Sequence, residues 1–266
     1  MYGNLILFFF FLVDSCELLR IIAGLVITNY RIQLTMRIDK FICKSTELTR
    51  SEAKKLLKMG EVRVNGEVIK NAATQVHENN SVTVDGAELT ARSSRYIMMH
   101  KPLDTICSNV DEVYPSLLHY IEVDKAFDLH IAGRLDADTT GLVLVTDDGR
   151  WSHNIISPKK ECAKVYRVNL RNAILSEKSV ELIERFKSGL QLQGEDQLTL
   201  PAILDIINEK EVLLTITEGK YHQVKRMFAA VGNKVVGLHR QQIGKINLDV
   251  ELGTWRYLTN DEVNSF

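Results

Sequence analysis

Arg134, Asp136 and Asp138 stand two residues apart in a short segment that also contains Gly133, Thr139, Thr140 and Gly141. Mostly apolar chain bounds it on both sides, residues 129–132 before it and the continuous run 142–145 after it. That run stops at Asp147-Asp148-Gly149, the pattern of a buried strand ending in a tight turn. Charge is therefore held between two core segments. Asp136 and Asp138 can be imagined as the acid and base of a hydrolase, yet loop neighbours two apart set no defined carboxyl separation. A solvated connection is the plain alternative, and at this level both stand.

A second group of reactive side chains is Lys164-Val165-Tyr166-Arg167-Val168. Strand alternation puts Lys164, Tyr166 and Val168 on one face. Tyr166 offers a ring for stacking and a phenol for proton transfer, although a core tyrosine is the default for such a position. The third group follows the apolar run 212–216, where Thr217-Glu218-Gly219-Lys220-Tyr221-His222 turns into Gln223-Val224-Lys225-Arg226-Met227. Val224, Met227 and Phe228 give that helix its inward face. Lys225 and Arg226 then point about 100° apart around the axis.

The rest of the chain must position these groups. With 266 residues, 45% hydrophobic and 25% charged, it suits one large domain or two smaller ones. A formal net charge of −1 excludes a uniformly basic nucleic-acid binder, so any such contact must come from local clustering. Cys16, Cys43, Cys107 and Cys162 have neither disulfide-framework nor zinc-site spacing, which points to a reducing compartment. The seven histidines show no metal-site spacing either.

Residues 1–35 look foreign to the rest of the chain. Residues 5–13 are apolar but too few to span a bilayer, and no lysine or arginine precedes them as in a signal peptide. The expectation is a start at Met36 and an added segment before it, with a membrane anchor as the competing reading. From Met36 the chain reads as a small module. Two helices, the second opened by Thr49-Arg50-Ser51-Glu52, lead into a hairpin at Asn65-Gly66. Residues 36–70 hold nine basic side chains against five acidic ones. Arg50, Lys54 and Lys58 recur every four residues and share one helix face, as a phosphate-tracking surface requires. The expected organisation is a module over 36–90, a polar linker over 91–95 and a larger domain over 96–266. The larger domain opens with a strand ended by Pro102, whose last residues His100 and Lys101 suit RNA contact and strand-end structure equally.

The combined pattern is far more specific than any of its parts. His130-x-x-Gly133-Arg134-Leu135-Asp136-x-x-Thr139-x-Gly141-Leu142, Lys164-x-Tyr166 and Gly219-x-x-x-Gln223-Val224-Lys225-Arg226-Met227 resemble the signature motifs of bacterial RNA pseudouridine synthases. The module from Arg37-Ile38-Asp39-Lys40-Phe41 to Val62-Arg63-Val64-Asn65-Gly66 resembles the S4 RNA-binding domain. Together they cover about 230 residues. Trp151-Ser152-His153 and Glu218-Gly219-Lys220-Tyr221-His222 bring the likeness closest to the small-subunit ribosomal RNA enzymes of the RsuA type.

The resemblance implies an α+β protein, an S4 domain tethered to a catalytic domain on a mixed, mainly antiparallel sheet. It implies that Asp136 breaks and re-forms the glycosidic bond of a flipped-out uridine, with neither a metal nor any other cofactor. Tyr166 and Lys225 complete the catalytic set, Lys225 keeping the carboxylate ionised and Arg226 being its fallback. Arg134 flips and positions the substrate, with an ion pair to Asp136 or Asp138 as the structural alternative. Gln223 supports the pocket, Lys164 and Arg226 contact RNA, and an apolar residue such as Leu248 packs near the base. Arg50, Lys54 and Lys58 bind RNA from the S4 module.

The implied partner is 16S ribosomal RNA or the assembling small subunit, met in the cytoplasm by a monomer with no obligate protein partner and no membrane. Two other readings remain. The substrate can be the large-subunit (23S) RNA, or the chain can be an assembly factor that binds RNA without turnover. An intact Asp136, Tyr166 and Lys225 set argues against the latter.

Overall fold

In the computed structural model, which describes residues 35–77 and 79–266, the chain divides between Ser93 and Ser94. Except for Thr35, the segment read as an addition lies outside the described residues. The first unit runs β1 (Thr35–Arg37), α1 (Ile38–Ser45), α2 (Arg50–Met59), β2 (Val62–Val64), β3 (Glu67–Val68), β4 (Gln75–His77), β5 (Val82–Val84) and β6 (Ala87–Glu88). Ile38, Phe41 and Ile42 of α1 meet Ala53 and Leu57 of α2 over Val62, Val76 and Val82.

Local chemistry explains the boundaries. Thr49 and Glu52 cap α2 reciprocally, side chain to backbone in both directions. Gly60 ends the helix in the left-handed region at φ 80°. Asn65 and Gly66, both with positive φ, make the tight turn from β2 into β3. Arg50, Lys54 and Lys58 are exposed on α2. Arg37 is spent locally, its guanidinium gripping the buried Asp39 carboxylate at 2.8 Å.

The second unit runs β7 (Tyr96–Lys101), β8 (His130–Ala132), β9 (Thr140–Thr146), α3 (Gly149–Ile156), β10 (Lys164–Leu170), α4 (Ser179–Ser188), β11 (Ile203–Asn208), β12 (Glu211–Ile216), α5 (Gln223–Ala230), β13 (Val235–Ile243), β14 (Ile246–Asn247), β15 (Trp255–Tyr257) and α6 (Asn260–Val263). Nine strands form one sheet in the order β11-β12-β10-β13-β9-β7-β15, with β8 on β9 and β14 on β13. β13 and β9 are parallel and the other pairs antiparallel. The architecture is α+β.

The middle of β9, residues 142–145, is apolar on both faces, and both are covered. Val143 and Val145 join the core under α4 and α5, with Phe186, Met227 and Phe228. Leu142 and Leu144 face the opposite core, with Trp151 and Ile155 of α3. Residues 176–187 are not one continuous helix. Ser176–Lys178 form a 3-10 turn, and α4 is uncapped because Lys178 stands at its N-cap position, while the Ser179 hydroxyl donates back to the Leu175 carbonyl.

Candidate active site

Residues 133–139 run from β8 into β9, and the sheet fixes them from below. Leu135 and Thr139 are buried, so the residues between them are carried to the lip of a cleft of about 820 Å³. Lys101, fully buried at the end of β7, donates to the Thr139 and Pro102 carbonyls at 2.9 Å and to Ala137 at 3.5 Å. Of its two sequence readings, the strand-end structural one describes its contacts. Arg240 of β13, also buried, donates to the Gly133 carbonyl at 2.6 Å and the Leu142 carbonyl at 2.8 Å. The loop is thus stapled before and after its charged residues.

Asp136 stands at the centre of this loop with its side chain about one-third exposed. Lys225, from the first turn of α5, places Nζ 2.7 Å from Asp136 Oδ2 and 2.6 Å from Asp138 Oδ1. Burial alone would lower the Lys225 pKa, but its bonds to the two carboxylates outweigh this and raise it. Burial pulls Asp138 upward, and Lys225 more than reverses that, leaving its pKa lowered. The lysine therefore stays charged through neutral pH. On the other side of the carboxylate, His222 Nε2 lies 3.3 Å from Asp136 Oδ1.

Tyr166 and Lys164 reach the same cleft from β10, as their alternation requires. Tyr166 is 7% exposed. Its hydroxyl accepts from Arg240 at 3.4 Å, so one guanidinium touches β10 and both ends of the Asp136 loop. Lys164 Nζ donates to the Cys162 carbonyl at 2.8 Å, and burial lowers its pKa. Gln223 lines the cleft while donating to Glu218 Oε1 and accepting from the Lys220 amide, both at 2.8 Å. The apolar walls come from Ile131, Leu135, Ile216, Val224 and Leu238.

Other sequence expectations are redirected. Arg226 does not reach Asp136: it pairs with Glu195 at 3.0 Å and donates to the Tyr221 and Gln193 carbonyls. Arg134 is exposed at the cleft and makes no ion pair to Asp136 or Asp138 among the described residues, so the structural alternative for it falls. Leu248 packs in the core beside α3 rather than in the cleft, and Leu238 of β13 is among the apolar residues that line it. Arg50, Lys54 and Lys58 belong to the first unit. Sequence reasoning gave no role to Arg240 or His222, and Arg240 stands among His239, Gln241 and Gln242, so nothing local singled it out.

Arg240→Met leaves the buried Leu142 carbonyl and the part-buried Gly133 carbonyl without their guanidinium donor. At about 1–3 kcal/mol for each unsatisfied group, the expected result is a loss of roughly 2–6 kcal/mol, read by urea unfolding. A loss below about 1 kcal/mol would mean that water or a neighbour replaces the guanidinium.

A lysine-held carboxylate in a cleft of nucleotide size, in a chain with a separate basic helix, fits an enzyme acting on a base of RNA. Known proteins agree. The model of the family described as RNA pseudouridylate synthase matches residues 95–230, and the S4 domain model matches residues 36–82. The ribosomal small subunit pseudouridine synthase A of Vibrio cholerae is 53% identical over 232 residues, 86% of this chain and 99% of that one. Its namesake from Escherichia coli K12 is 46% identical over 233 residues, with the same coverage. A crystal structure of a pseudouridylate synthase superposes with TM-score 0.61 at 45% identity, covering 86% of this chain and 99% of the other. The chain belongs to the RNA pseudouridylate synthase family, in the form that carries an S4 domain. It is accordingly an isomerase.

Proposed function

We propose that this protein isomerises one uridine of small-subunit (16S) ribosomal RNA to pseudouridine, with Asp136 as the reacting carboxylate. The observation that carries this reading is the approach of Lys225 Nζ to Asp136 Oδ2 at 2.7 Å, inside the cleft that Tyr166 also lines. The reaction cleaves the bond from ribose C1′ to N1 of uracil, turns the base, and joins C1′ to C5, which then loses its proton. It consumes no oxidant, reductant or second substrate. A carboxylate serves it as nucleophile or as stabiliser of the detached sugar, with the Lys225 ammonium beside it.

The other cleft residues have matching roles. Tyr166 lies against the base and faces the proton lost at C5, Lys164 offers its remaining ammonium donors to the uracil oxygens or a phosphate, and Gln223 holds the turn that leads into α5. Arg134, exposed and without an acidic partner among the described residues, is suited to fill the gap left by the extruded uridine. The S4 unit positions RNA through Arg50, Lys54 and Lys58, in the cytoplasm where ribosomal RNA is made. The names of the relatives favour the small-subunit RNA over the large-subunit one.

The test is tritium release from C5-labelled ribosomal RNA, offered as naked 16S RNA, as assembling small subunits and as 23S RNA. Release from either small-subunit form alone supports the proposal. Release only from 23S RNA moves the substrate, and binding without release from any of them leaves an assembly factor. Changing Arg50, Lys54 and Lys58 together to alanine should weaken binding at every sequence. It should also flatten the salt dependence of log K by about 2, at roughly 0.7 per phosphate contact on single strands. An unchanged slope would remove α2 from the RNA path.

A further inference from the structure

We infer that Tyr221 is a stacking platform for the nucleobase next to the target uridine, a subsite coupled through His222 to the reacting carboxylate. The inference rests on the function proposed above. Tyr221 is 76% exposed, a large area for an aromatic ring on a well-packed unit. Its ring lies nearly parallel to that of His222, with centroids 3.8 Å apart and planes 20° from parallel. His222 in turn reaches Asp136 Oδ1 at 3.3 Å. Ring, ring and carboxylate thus form one line from solvent to the site of chemistry.

The backbone is held to maintain this line. His222 adopts φ 46°, a left-handed conformation that side-chain-bearing residues rarely take. Arg226 donates to the Tyr221 carbonyl at 3.0 Å while pairing with Glu195, and Glu195 also holds Lys220 at 2.8 Å. Those pairs neutralise the two cations flanking the platform, so the segment offers RNA a flat apolar face more than charge. A base is the group that uses such a face, since every nucleobase stacks on an aromatic ring whatever its sequence. With the target uridine at Asp136, the base that can share Tyr221 is a neighbour in the strand.

The test combines protein and RNA changes. Small-subunit RNA is ligated around a synthetic segment with a single abasic residue on one side or the other of the mapped uridine, and is used naked or assembled as the enzyme requires. For the parent enzyme, one abasic position should raise KM about tenfold. Tyr221→Ala should raise KM by a similar factor on intact RNA with kcat within about threefold, and should erase the abasic penalty at that position. Tyr221→Phe should behave as the parent. Both variants should keep the parent's thermal midpoint, because the ring is exposed. Abasic penalties that stay the same in Tyr221→Ala at every position would overturn the platform even though turnover continues. Absence of any product from the parent on intact RNA would instead overturn the function reading, and the platform with it.

Discussion

Asp136→Asn is expected to abolish tritium release while leaving the fold intact. Asparagine keeps the shape of the side chain and an oxygen able to accept from Lys225 Nζ, now 2.7 Å from Oδ2, but has no anionic lone pair for the sugar. Loss of a reacting nucleophile costs other enzymes about four orders of magnitude or more in turnover, and a loss on that scale is expected here. Stability should hardly move. Asp136 is about one-third exposed, Lys225 retains Asp138 at 2.6 Å, and pairs this open to solvent contribute about 0–1 kcal/mol. The informative measurement is single-turnover release at saturating RNA, with binding measured on the same sample. A variant retaining even a tenth of parental turnover would move the chemistry off Asp136. Lys225→Met should fall between the two, losing about 10²–10³-fold as preorganised charge is removed from the site.

Gly141→Ala disrupts the centre of the sheet. Gly141 has φ 119°, and a Cβ built on it would lie 2.3 Å from the Arg240 carbonyl oxygen and 2.5 Å from its amide nitrogen. Those are backbone atoms of β13, the parallel neighbour of β9. They cannot move aside as a side chain would, so the two central strands must part. Backbone strain alone costs about 1–3 kcal/mol, and separating β9 from β13 adds to it. With roughly 3 kcal/mol lost and about 2–4 °C per kcal/mol for a unit of this size, Tm should fall by about 10 °C. Activity should fall as well, because the Asp136 loop is anchored where β9 begins. Gly149→Ala is the control, since a Cβ there meets nothing within 4 Å and φ is not positive. A drop for Gly141→Ala no larger than the control's would mean that the strands tolerate the extra atom.

How far the sequence carries depends on the range of the force involved. Local signals place α2, because its cap is written in Thr49 and Glu52, and the β2–β3 turn, because Asn65-Gly66 accepts two positive φ angles. They also place β9, whose unbroken apolar run requires cover on both faces. The uncapped start of α4 escapes such reading, since the residue that falls at the N-cap position is Lys178 rather than one of the nearby serines, and only the surrounding chain selects it.

The site divides in the same way. Residue type and spacing showed which groups could do chemistry, and the resemblance of their motifs to those of RNA pseudouridine synthases singled out Asp136, Tyr166 and Lys225 among them. Tertiary structure alone decided which of them meet. Lys225 and Arg226 are adjacent cations equivalent in composition, yet α5 turns one onto Asp136 and the other onto Glu195. Arg240 is 107 residues from Gly133 and 74 from Tyr166, and no local pattern announces a guanidinium that joins them. Buried polar groups must find partners wherever the packed chain brings them. That requirement acts through space, so a staple between distant strands becomes visible only once β13 lies between β9 and β10.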